Sequence, residues 1–459
     1  MDNVRNSLQD TPVLNMLEAY AARAGERWHM PGHKGVAPDR GEFLEWAYDV
    51  TEIDEMLETP NPVQLSEQLM AESYGTDRTW YSVAGATLPV MVAMLAAFKP
   101  GARLWVDRTM HRSVFAALVL GGYDVQWLYP PLLHAGLTLP VTSGPGEWGK
   151  AEGLVVTRPT YDGLASDIGP LVESAHHANL IVVVDEAHGS HWVGFPYPPS
   201  ALRFGADLVA HGVHKTQETL TQTGLLHAQG PRVVADEIDR WWRVLATTSP
   251  SYLLLASLDR LQWARRQPGY AERWIHAARK ALALRDELAG RGWILLQPWA
   301  EARGFASDPL RLTVMGPGAA IEDRVRLVGR VEKTTAESCT FILSPGQRLE
   351  KLRDALGASP LLPSAKAMEI VPYPELKAPM RIREAWEHPG RWVPLAKAVG
   401  CIAKDALTPY PPGIPLAVSG EILSHEMIDW LLDWSHTNRA PIQGIKRING
   451  EAWVWVVAE

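Results

Sequence analysis

The sequence predicts an α/β fold built on a central, mostly parallel sheet, and three observations carry this prediction. Short runs of β-branched and apolar residues alternate with longer segments of helical spacing, which is typical of repeated strand–helix units. The apolar run Ile181–Val184 stops at Asp185, as a buried strand does where it reaches the sheet edge. A second short run, Asp207–Ala210, leads into the polar segment HGVHK, which ends at Lys215. Open α/β sheets bind ligands beyond the carboxyl ends of their strands, so we expect the site at this edge.

Length and composition limit the class of protein. The 459 residues, 46% of them hydrophobic, suffice for roughly two to three domains with substantial cores. A net charge of −8 gives no sign of a nucleic-acid partner, and no leader pattern or long apolar run points to a membrane. The two cysteines, Cys339 and Cys401, lack metal-ligand spacing and fit a reducing compartment. We therefore expect a cytoplasmic protein without a metal site.

The chain is expected to divide into an N-terminal segment (residues 1–62), a large domain (63–297) and a C-terminal domain (298–459). The N-terminal segment includes an expected amphipathic helix from Thr11 to Gly25, where the glycine stops it. Glycine, proline and a new strand pattern at Arg311–Met315 mark the second boundary. Further large-domain strands are expected at Trp80–Val83, Arg103–Val106, Asp124–Leu128, Gly153–Thr157 and Leu225–Ala228. Later helices are expected at Leu88–Phe98, Ile168–Ala178, Pro231–Leu245, Tyr252–Arg265 and Tyr270–Arg291.

Asp185 and Lys215 would face one cavity if their two strands are neighbours. An amine that holds an aldehyde and a carboxylate that keeps a ring nitrogen protonated are what pyridoxal 5'-phosphate (PLP) requires of a protein. Each residue alone has an ordinary explanation, because aspartates often cap helices and most lysines are solvated. Their joint position at two strand ends favours the cofactor.

A small-residue turn, Gly85, Ala86 and Thr87, lies between an expected strand and a long apolar helix. Backbone N–H groups and the positive dipole end at a helix N-terminus attract phosphate. The signal is weak by itself, because many loops between strand and helix contain small residues and bind nothing.

Several motifs resemble, in the same order, signatures of the Orn/Lys/Arg decarboxylase family. They are MPGHKG at Met30–Gly35, DEAHGSH at Asp185–His191, HKT at His214–Thr216, TTSPSYLLLASLD at Thr247–Asp259, and YPPGIPLAVSGE at Tyr410–Glu421. The resemblance covers most of the chain. It implies a PLP-dependent transferase-like fold of type I, with a large domain and a smaller C-terminal α/β domain. It also implies a homodimer or larger homo-oligomer whose active sites use both chains.

The resemblance assigns roles to single residues. It implies that Lys215 holds PLP covalently, that Asp185 binds its ring nitrogen, and that His111 stacks on the ring opposite the small Ala187. Further cofactor contacts are implied at Gly85, Ala86, Thr87, His188 and His214. Contacts at the subunit interface are implied at Thr247, Thr248 and Ser249. Without the resemblance, His111 and this hydroxyl run would be interpreted as helix caps.

Three residues depart from the family pattern. Ala86 lacks the hydroxyl of the phosphate turn, and Gly212 stands where a hydroxyl residue often precedes the lysine. Cys401 replaces an arginine that is usual in a GRI tripeptide. The first two changes reduce the number of groups that could bind the phosphate.

The implied reaction is α-decarboxylation of a basic L-amino acid to a diamine or agmatine. Arginine is favoured because the short chain resembles biosynthetic arginine decarboxylases, while lysine and ornithine stay open. Glu421 is expected to bind the distal cation of the substrate, although a solvated loop glutamate is an equally good interpretation. Transamination or β-elimination on the same scaffold is a second hypothesis. A catalytically impaired paralogue that binds PLP or a polyamine is a third.

Overall fold

The computed structural model describes residues 10–23, 27, 29–35, 48–50, 56, 59–410, 413–437 and 442–458. The expected stop of the first helix at Gly25 lies outside these residues, whereas the helix itself spans Pro12–Ala22. Within the described ranges no helix combines the length and the apolar character needed to cross a membrane.

Helices and strands alternate through the large domain, as expected. The described helices are α1 Pro12–Ala22, α2 Pro62–Tyr74, α3 Thr87–Ala97, α4 Arg112–Gly121, α5 Gly169–His177, α6 Ala235–Leu245, α7 Tyr252–Arg266, α8 Tyr270–Gly290, α9 Leu296–Glu301, α10 Gly318–Val325, α11 Leu349–Leu356, α12 Ile382–Glu387 and α13 His425–Thr437. The described strands are β1 Arg78–Ser82, β2 Arg103–Asp107, β3 Asp124–Leu128, β4 Leu132–Leu133, β5 Gly153–Thr157, β6 Leu164–Ala165, β7 Ile181–Asp185, β8 Leu208–His211, β9 Gly224–Ala228, β10 Ile294–Leu295, β11 Ala306–Ser307, β12 Arg311–Met315, β13 Lys333–Thr334, β14 Ser338–Ile342, β15 Ile370–Val371, β16 Gly390–Pro394, β17 Thr408–Pro409, β18 Ile442–Gln443, β19 Ile445–Ile448 and β20 Glu451–Val457.

A seven-stranded sheet in the order β1-β9-β8-β7-β5-β2-β3 forms the centre of the large domain. The pairs from β8 across to β3 are parallel, whereas β9 runs antiparallel to both of its neighbours. The expected mostly parallel sheet is thereby confirmed. Because β7 lies directly between β5 and β8, the ends of the strands that carry Asp185 and Lys215 are adjacent, as the sequence predicts.

Both faces of this sheet are covered, which explains the continuous apolar run in β7. Val183 packs into the core on the side of α3 and α4, whereas Val182 and Val184 pack on the side of α5. Successive side chains of a strand point to opposite faces, so a strand buried on both sides needs apolar residues throughout. Fully burying one such valine contributes about 1.5–3 kcal/mol.

The C-terminal part contains a four-stranded and a three-stranded antiparallel sheet, besides the short antiparallel pair β17-β18. A four-stranded sheet, β10-β12-β14-β13, shares an apolar core with α8, α10 and α11. A three-stranded sheet, β16-β20-β19, packs with α13 around a separate core, and Cys401 contacts that core. The boundary expected at residue 297 falls within α9, so the division into domains stays a prediction.

Helix starts differ from the sequence expectation where turns precede them. The helix expected from Pro231 begins as α6 at Ala235, because residues 231–234 form a turn. Asp236 and Glu237 then lie in the first turn, where carboxylates interact favourably with the helix dipole. The start of α2 is better defined, since Asn61 and Gln64 form a capping box around Pro62.

Candidate active site

A cavity lies at the carboxyl ends of the central strands, and its empty space, counted together with the solvent at its mouth, is about 430 Å³. Its position agrees with the ligand-binding edge expected for an open α/β sheet. The residues that line it are Thr109, His111, Thr138, Thr157, Pro159, Thr160, Tyr161, Asp185, Ala187, His188, Lys215 and Ile414. The structure therefore brings together five of the residues that the sequence nominated: His111, Asp185, Ala187, His188 and Lys215.

Asp185 ends β7 and is 3% exposed. Its Oδ1 accepts a hydrogen bond from the Ala187 backbone N–H at 3.1 Å, and in the described chain its Oδ2 accepts none. Burial raises the pKa of this carboxyl, while the nearby Lys215 amine lowers it. One oxygen is thus fixed by the backbone and the other is available to a ligand.

Lys215 lies in the short 3₁₀ turn Val213–Lys215 that follows β8. Its Nζ is 3.1 Å from Nε2 of His188, and burial lowers the pKa of the amine. A Cβ at Gly212 would lie 3.2 Å from Cδ and Cε of Lys215, and 3.1 Å from the Ala187 carbonyl oxygen. The departure at Gly212 therefore has a steric effect, because glycine leaves room for the lysine side chain.

His188 connects the lysine to a residue that the sequence did not nominate. Its Nδ1 is 2.6 Å from Nη2 of Arg311, the first residue of β12. The Tyr161 ring meets the imidazole edge-on, with 5.1 Å between the ring centroids. Burial, followed by the positive charges of Lys215 and Arg311, holds the pKa of His188 well below its usual range.

His111 lines the cavity and also caps a helix, so both interpretations of this residue apply. Its Nδ1 accepts a hydrogen bond from the Ser113 backbone N–H at 3.2 Å, at the start of α4. A Cβ at Gly413 would lie 3.1 Å from His111 Cδ2, so Gly413 packs closely against the imidazole. Burial, with the charges of Lys215 and Arg112, lowers the pKa of His111 to about 3. The imidazole is neutral near pH 7.

The expected phosphate turn lies next to the lysine turn but does not line the cavity. His214 Cε1 is 3.6 Å from the position that a Cβ on Gly85 would occupy. The Gly85 N–H already donates to the Gln222 carbonyl oxygen at 2.6 Å, so it is not available to a phosphate. The N–H groups of Thr87 and of the following Leu88 make no hydrogen bond within the described residues. They are free donors at the start of α3.

Glu421 has a different environment from the one expected. It is 1% exposed, and its Oε2 accepts hydrogen bonds from Arg108 Nη2 at 3.0 Å and from the Val418 backbone N–H at 2.8 Å. It does not line the cavity. Because its carboxylate already compensates a buried guanidinium, Glu421 is not suited to the expected role of binding the distal cation of a substrate.

The hydroxyl run expected at the subunit interface follows α6. Thr247, Thr248 and Ser249 are all exposed in the single chain. Thr247 Oγ1 accepts a hydrogen bond from the Ser249 backbone N–H at 3.2 Å, which is a local turn contact. Their role at an interface stays a prediction.

Comparison with known proteins identifies the family. The family model of the Orn/Lys/Arg decarboxylase major domain matches residues 11–303. The model of the family's C-terminal domain matches residues 364–458. The chain belongs to the Orn/Lys/Arg decarboxylase family. An arginine decarboxylase of Bacillus subtilis (strain 168) is 30% identical to this decarboxylase, over 93% of the chain and 94% of the relative.

Other relatives extend the similarity to lysine decarboxylases. The Pseudomonas aeruginosa lysine decarboxylase LdcA is 21% identical over 89% of this chain and 73% of its own length. The structure of the E. coli constitutive lysine decarboxylase superposes with a TM-score of 0.82 at 18% identity, covering all of this chain and 83% of the other. These likenesses confirm the type I fold, and the family establishes that the protein is a decarboxylase.

Sequence reasoning missed several residues of the decarboxylase cavity. Thr109 and Thr157 follow or end strands that the sequence did predict, so the position of each could have nominated them. Arg311 gave no such signal, because it is separated from His188 by 123 positions in the chain. Only the folded chain brings these two residues together.

Proposed function

We propose that the cavity binds PLP and that the chain decarboxylates a basic L-amino acid, with arginine favoured. The observation that carries the proposal is the pairing of the Lys215 amine and the Asp185 carboxylate in one cavity, in a member of this family. When bound, PLP supplies a cationic pyridine ring that accepts the electron pair left when CO₂ departs. The residues of the cavity fit this group.

Each end of the cofactor has a suitable partner. Lys215 would hold the aldehyde, and the free Oδ2 of Asp185 would accept the hydrogen of the ring nitrogen. The free N–H groups of Thr87 and Leu88 are donors for the phosphate, and His214 lies next to the same turn. Ala86 and Gly212 have no hydroxyl to add, so these backbone donors matter more than the family pattern suggests.

The histidines and the lysine have different capacities for proton transfer. His111, with a pKa of about 3, has no readily released proton near pH 7 and is suited to stacking on a ring. Lys215 Nζ releases a proton more readily than an ordinary lysine does, because burial lowers its pKa. We therefore assign the return of a proton to Cα to Lys215 rather than to His111.

A larger adjoining cavity is suited to the substrate side chain. It shares Thr138 and Ile414 with the first cavity. Its empty space, counted together with the solvent at its mouth, is about 1330 Å³. Its walls are mostly apolar and suit an aliphatic stem, while Glu426 supplies a carboxylate for a distal cation. We propose Glu426 for the role first expected of Glu421. Relatives named arginine decarboxylase, at 28–30% identity, favour a guanidinium as that cation.

The test is to incubate the purified chain and PLP with arginine, lysine or ornithine, and to identify the amine by mass spectrometry. Agmatine from arginine, with CO₂ released in equal amount, is the expected result. A keto acid without CO₂ would indicate transamination instead. Turnover of none of the three, with PLP still bound, would indicate an impaired paralogue.

The cofactor assignment has a separate test. Lys215→Ala is expected to abolish both the visible absorbance of lysine-bound PLP and turnover. Lys280→Ala, a change of a lysine on α8 away from the cavity, is the matched control and should change neither. A Lys215→Ala protein that keeps the absorbance band and full activity contradicts the assignment.

A further inference from the structure

Arg311 reaches the active site from the four-stranded sheet rather than from the large-domain sheet. It begins β12, and the antiparallel pairing of β11 with β6 holds the start of this strand beside the loop that follows β5. Its side chain is buried, with Nε donating to the Tyr161 carbonyl oxygen at 3.3 Å and Nη2 lying 2.6 Å from His188 Nδ1. Arg311 therefore contacts the site through His188 and does not line the cavity.

Gly163 makes room for this arginine. A Cβ at Gly163 would lie 2.6 Å from Arg311 Cβ, which is closer than real Cβ atoms approach other heavy atoms. The glycine also has φ of +79°, a conformation that L-residues rarely adopt. The route of the Arg311 side chain thus depends on a specific backbone conformation in the large domain.

The hydrogen bonds of His188 fix where its hydrogen lies. A guanidinium only donates, so His188 Nδ1 must accept from Arg311 and carry no hydrogen. A neutral imidazole then carries its hydrogen on Nε2, which faces Lys215 Nζ at 3.1 Å. An ammonium group has no lone pair to accept that hydrogen, whereas a neutral amine has one. The geometry is therefore satisfied only by an uncharged lysine.

We propose that Arg311 is a positioning residue that, through His188, holds the Lys215 amine in its neutral, nucleophilic form. A neutral amine can attack an aldehyde, and an ammonium cannot. What the amine attacks rests on the proposed PLP function. Its protonation state is a property of the cofactor-free chain and can be measured there.

The charges around Lys215 oppose one another. Asp185 and Glu332 favour the ammonium form, whereas burial and Arg311 favour the neutral amine. The three nearby imidazoles, His111, His188 and His214, add no positive charge near pH 7, because burial lowers the pKa of each. Arg311 is thus the permanent cation set against the two carboxylates. Its loss would remove both that charge and the donor that fixes His188.

The test measures how fast limiting acetic anhydride labels Lys215 in the cofactor-free chain across neutral to alkaline pH, by peptide mass spectrometry. Arg311→Met removes the charge and the donors. Arg326→Met removes an arginine of the same region whose side chain is 69% exposed and 4.0 Å from Asp323. We expect Arg311→Met to raise the pH at which Lys215 becomes reactive, with about tenfold less labelling at neutral pH for each unit of pKa. Arg326→Met should label as the wild type does.

Unchanged Lys215 labelling in a natively folded Arg311→Met protein overturns the proposal. So does a change in KM alone, which would indicate that Arg311 binds the substrate. If Arg311→Met does not fold, ¹⁵N NMR of the wild-type chain shows which nitrogen of His188 carries the hydrogen, and His188→Gln is used to assign the signals. A hydrogen on Nδ1 refutes the proposal, and one on Nε2 supports it. Failure of the wild type to bind PLP would refute the proposed function and leave the labelling result intact.

Discussion

Two buried arginines link the large-domain sheet to the C-terminal part of the chain, and they end on different partners. Arg108 follows β2 and meets Glu421 Oε2 at 3.0 Å. Arg311 extends in the opposite direction, from β12 to His188 Nδ1. A carboxylate compensates the charge of Arg108, whereas a neutral imidazole leaves the charge of Arg311 to act on Lys215. We infer that the first contact stabilises the fold and the second sets the chemistry of the site.

Their remaining hydrogen bonds agree with this difference. Arg108 also donates to the carbonyl oxygens of Pro415 and Leu416, at 2.6 and 2.9 Å, and lies over the Trp127 ring. Arg311 Nη1, although buried, has no hydrogen-bond partner within the described residues. Glu421 Oε1 is likewise buried without a partner within those residues, so the two contacts differ in charge compensation and not in the presence of an unsatisfied atom.

The largest expected effect is on stability, through the contact between Arg108 and Glu421. Glu421→Ala leaves the Arg108 guanidinium buried without a counter-charge, so we expect a loss of about 3–5 kcal/mol in the free energy of unfolding, measured by denaturant titration. Labelling of Lys215 in the folded fraction should not change. A folded Glu421→Ala protein that loses less than about 1 kcal/mol, the scale of an exposed ion pair, would show that this contact is not structural.

A second effect concerns His111, another imidazole close to Lys215. Its pKa of about 3 in the fold lies below the ordinary 6.5, so the unfolded chain binds the proton first as pH falls. The stabilisation is complete above about pH 6.5 and is lost as pH falls towards about 3. We expect His111→Asn, which keeps a capping side chain, to retain on the order of 2–4 kcal/mol more of its stability across this range. Parallel curves of unfolding free energy against pH for the two cofactor-free proteins would contradict the assignment.

A third change tests the position of the Arg311 side chain separately from its charge. Gly163→Ala should displace the arginine side chain without removing its charge, and we expect about tenfold slower labelling of Lys215 at neutral pH, one unit of pKa. Gly101→Ala is the matched control, because Gly101 has the same φ of +79° and nothing within 4 Å of an added Cβ. Both variants should lose about 1–2 kcal/mol from backbone strain. Equal labelling in the two would mean that the exact position of Arg311 is unimportant.

The features that could be predicted from the sequence are those that depend on the local pattern of residues. The ends of β7 and β8 could be located because both strands are apolar and stop at polar residues, and Asp185 and Lys215 followed from those ends. The partner of Glu421 could not be predicted, since Arg108 is separated from it by 313 positions. The same holds for Arg311, whose contact with His188 depends on the pairing of β6 with β11, two strands of only two residues each. Such short strands carry no hydrophobic periodicity to recognise.

The smallest expected effect distinguishes the two glutamates. If Glu421 is structural and Glu426 meets the substrate, Glu426→Gln should raise KM for arginine two- to five-fold with kcat unchanged, because one exposed ion pair contributes at most about 1 kcal/mol. Asp429→Asn is the control, since Asp429 is an exposed carboxylate on the same helix that does not line the cavity. Because an exposed carboxylate can also attract a cation from a distance, the effect should persist in high salt only if the contact is direct. An unchanged KM in Glu426→Gln, or an equal rise in Asp429→Asn, would remove Glu426 from the substrate site.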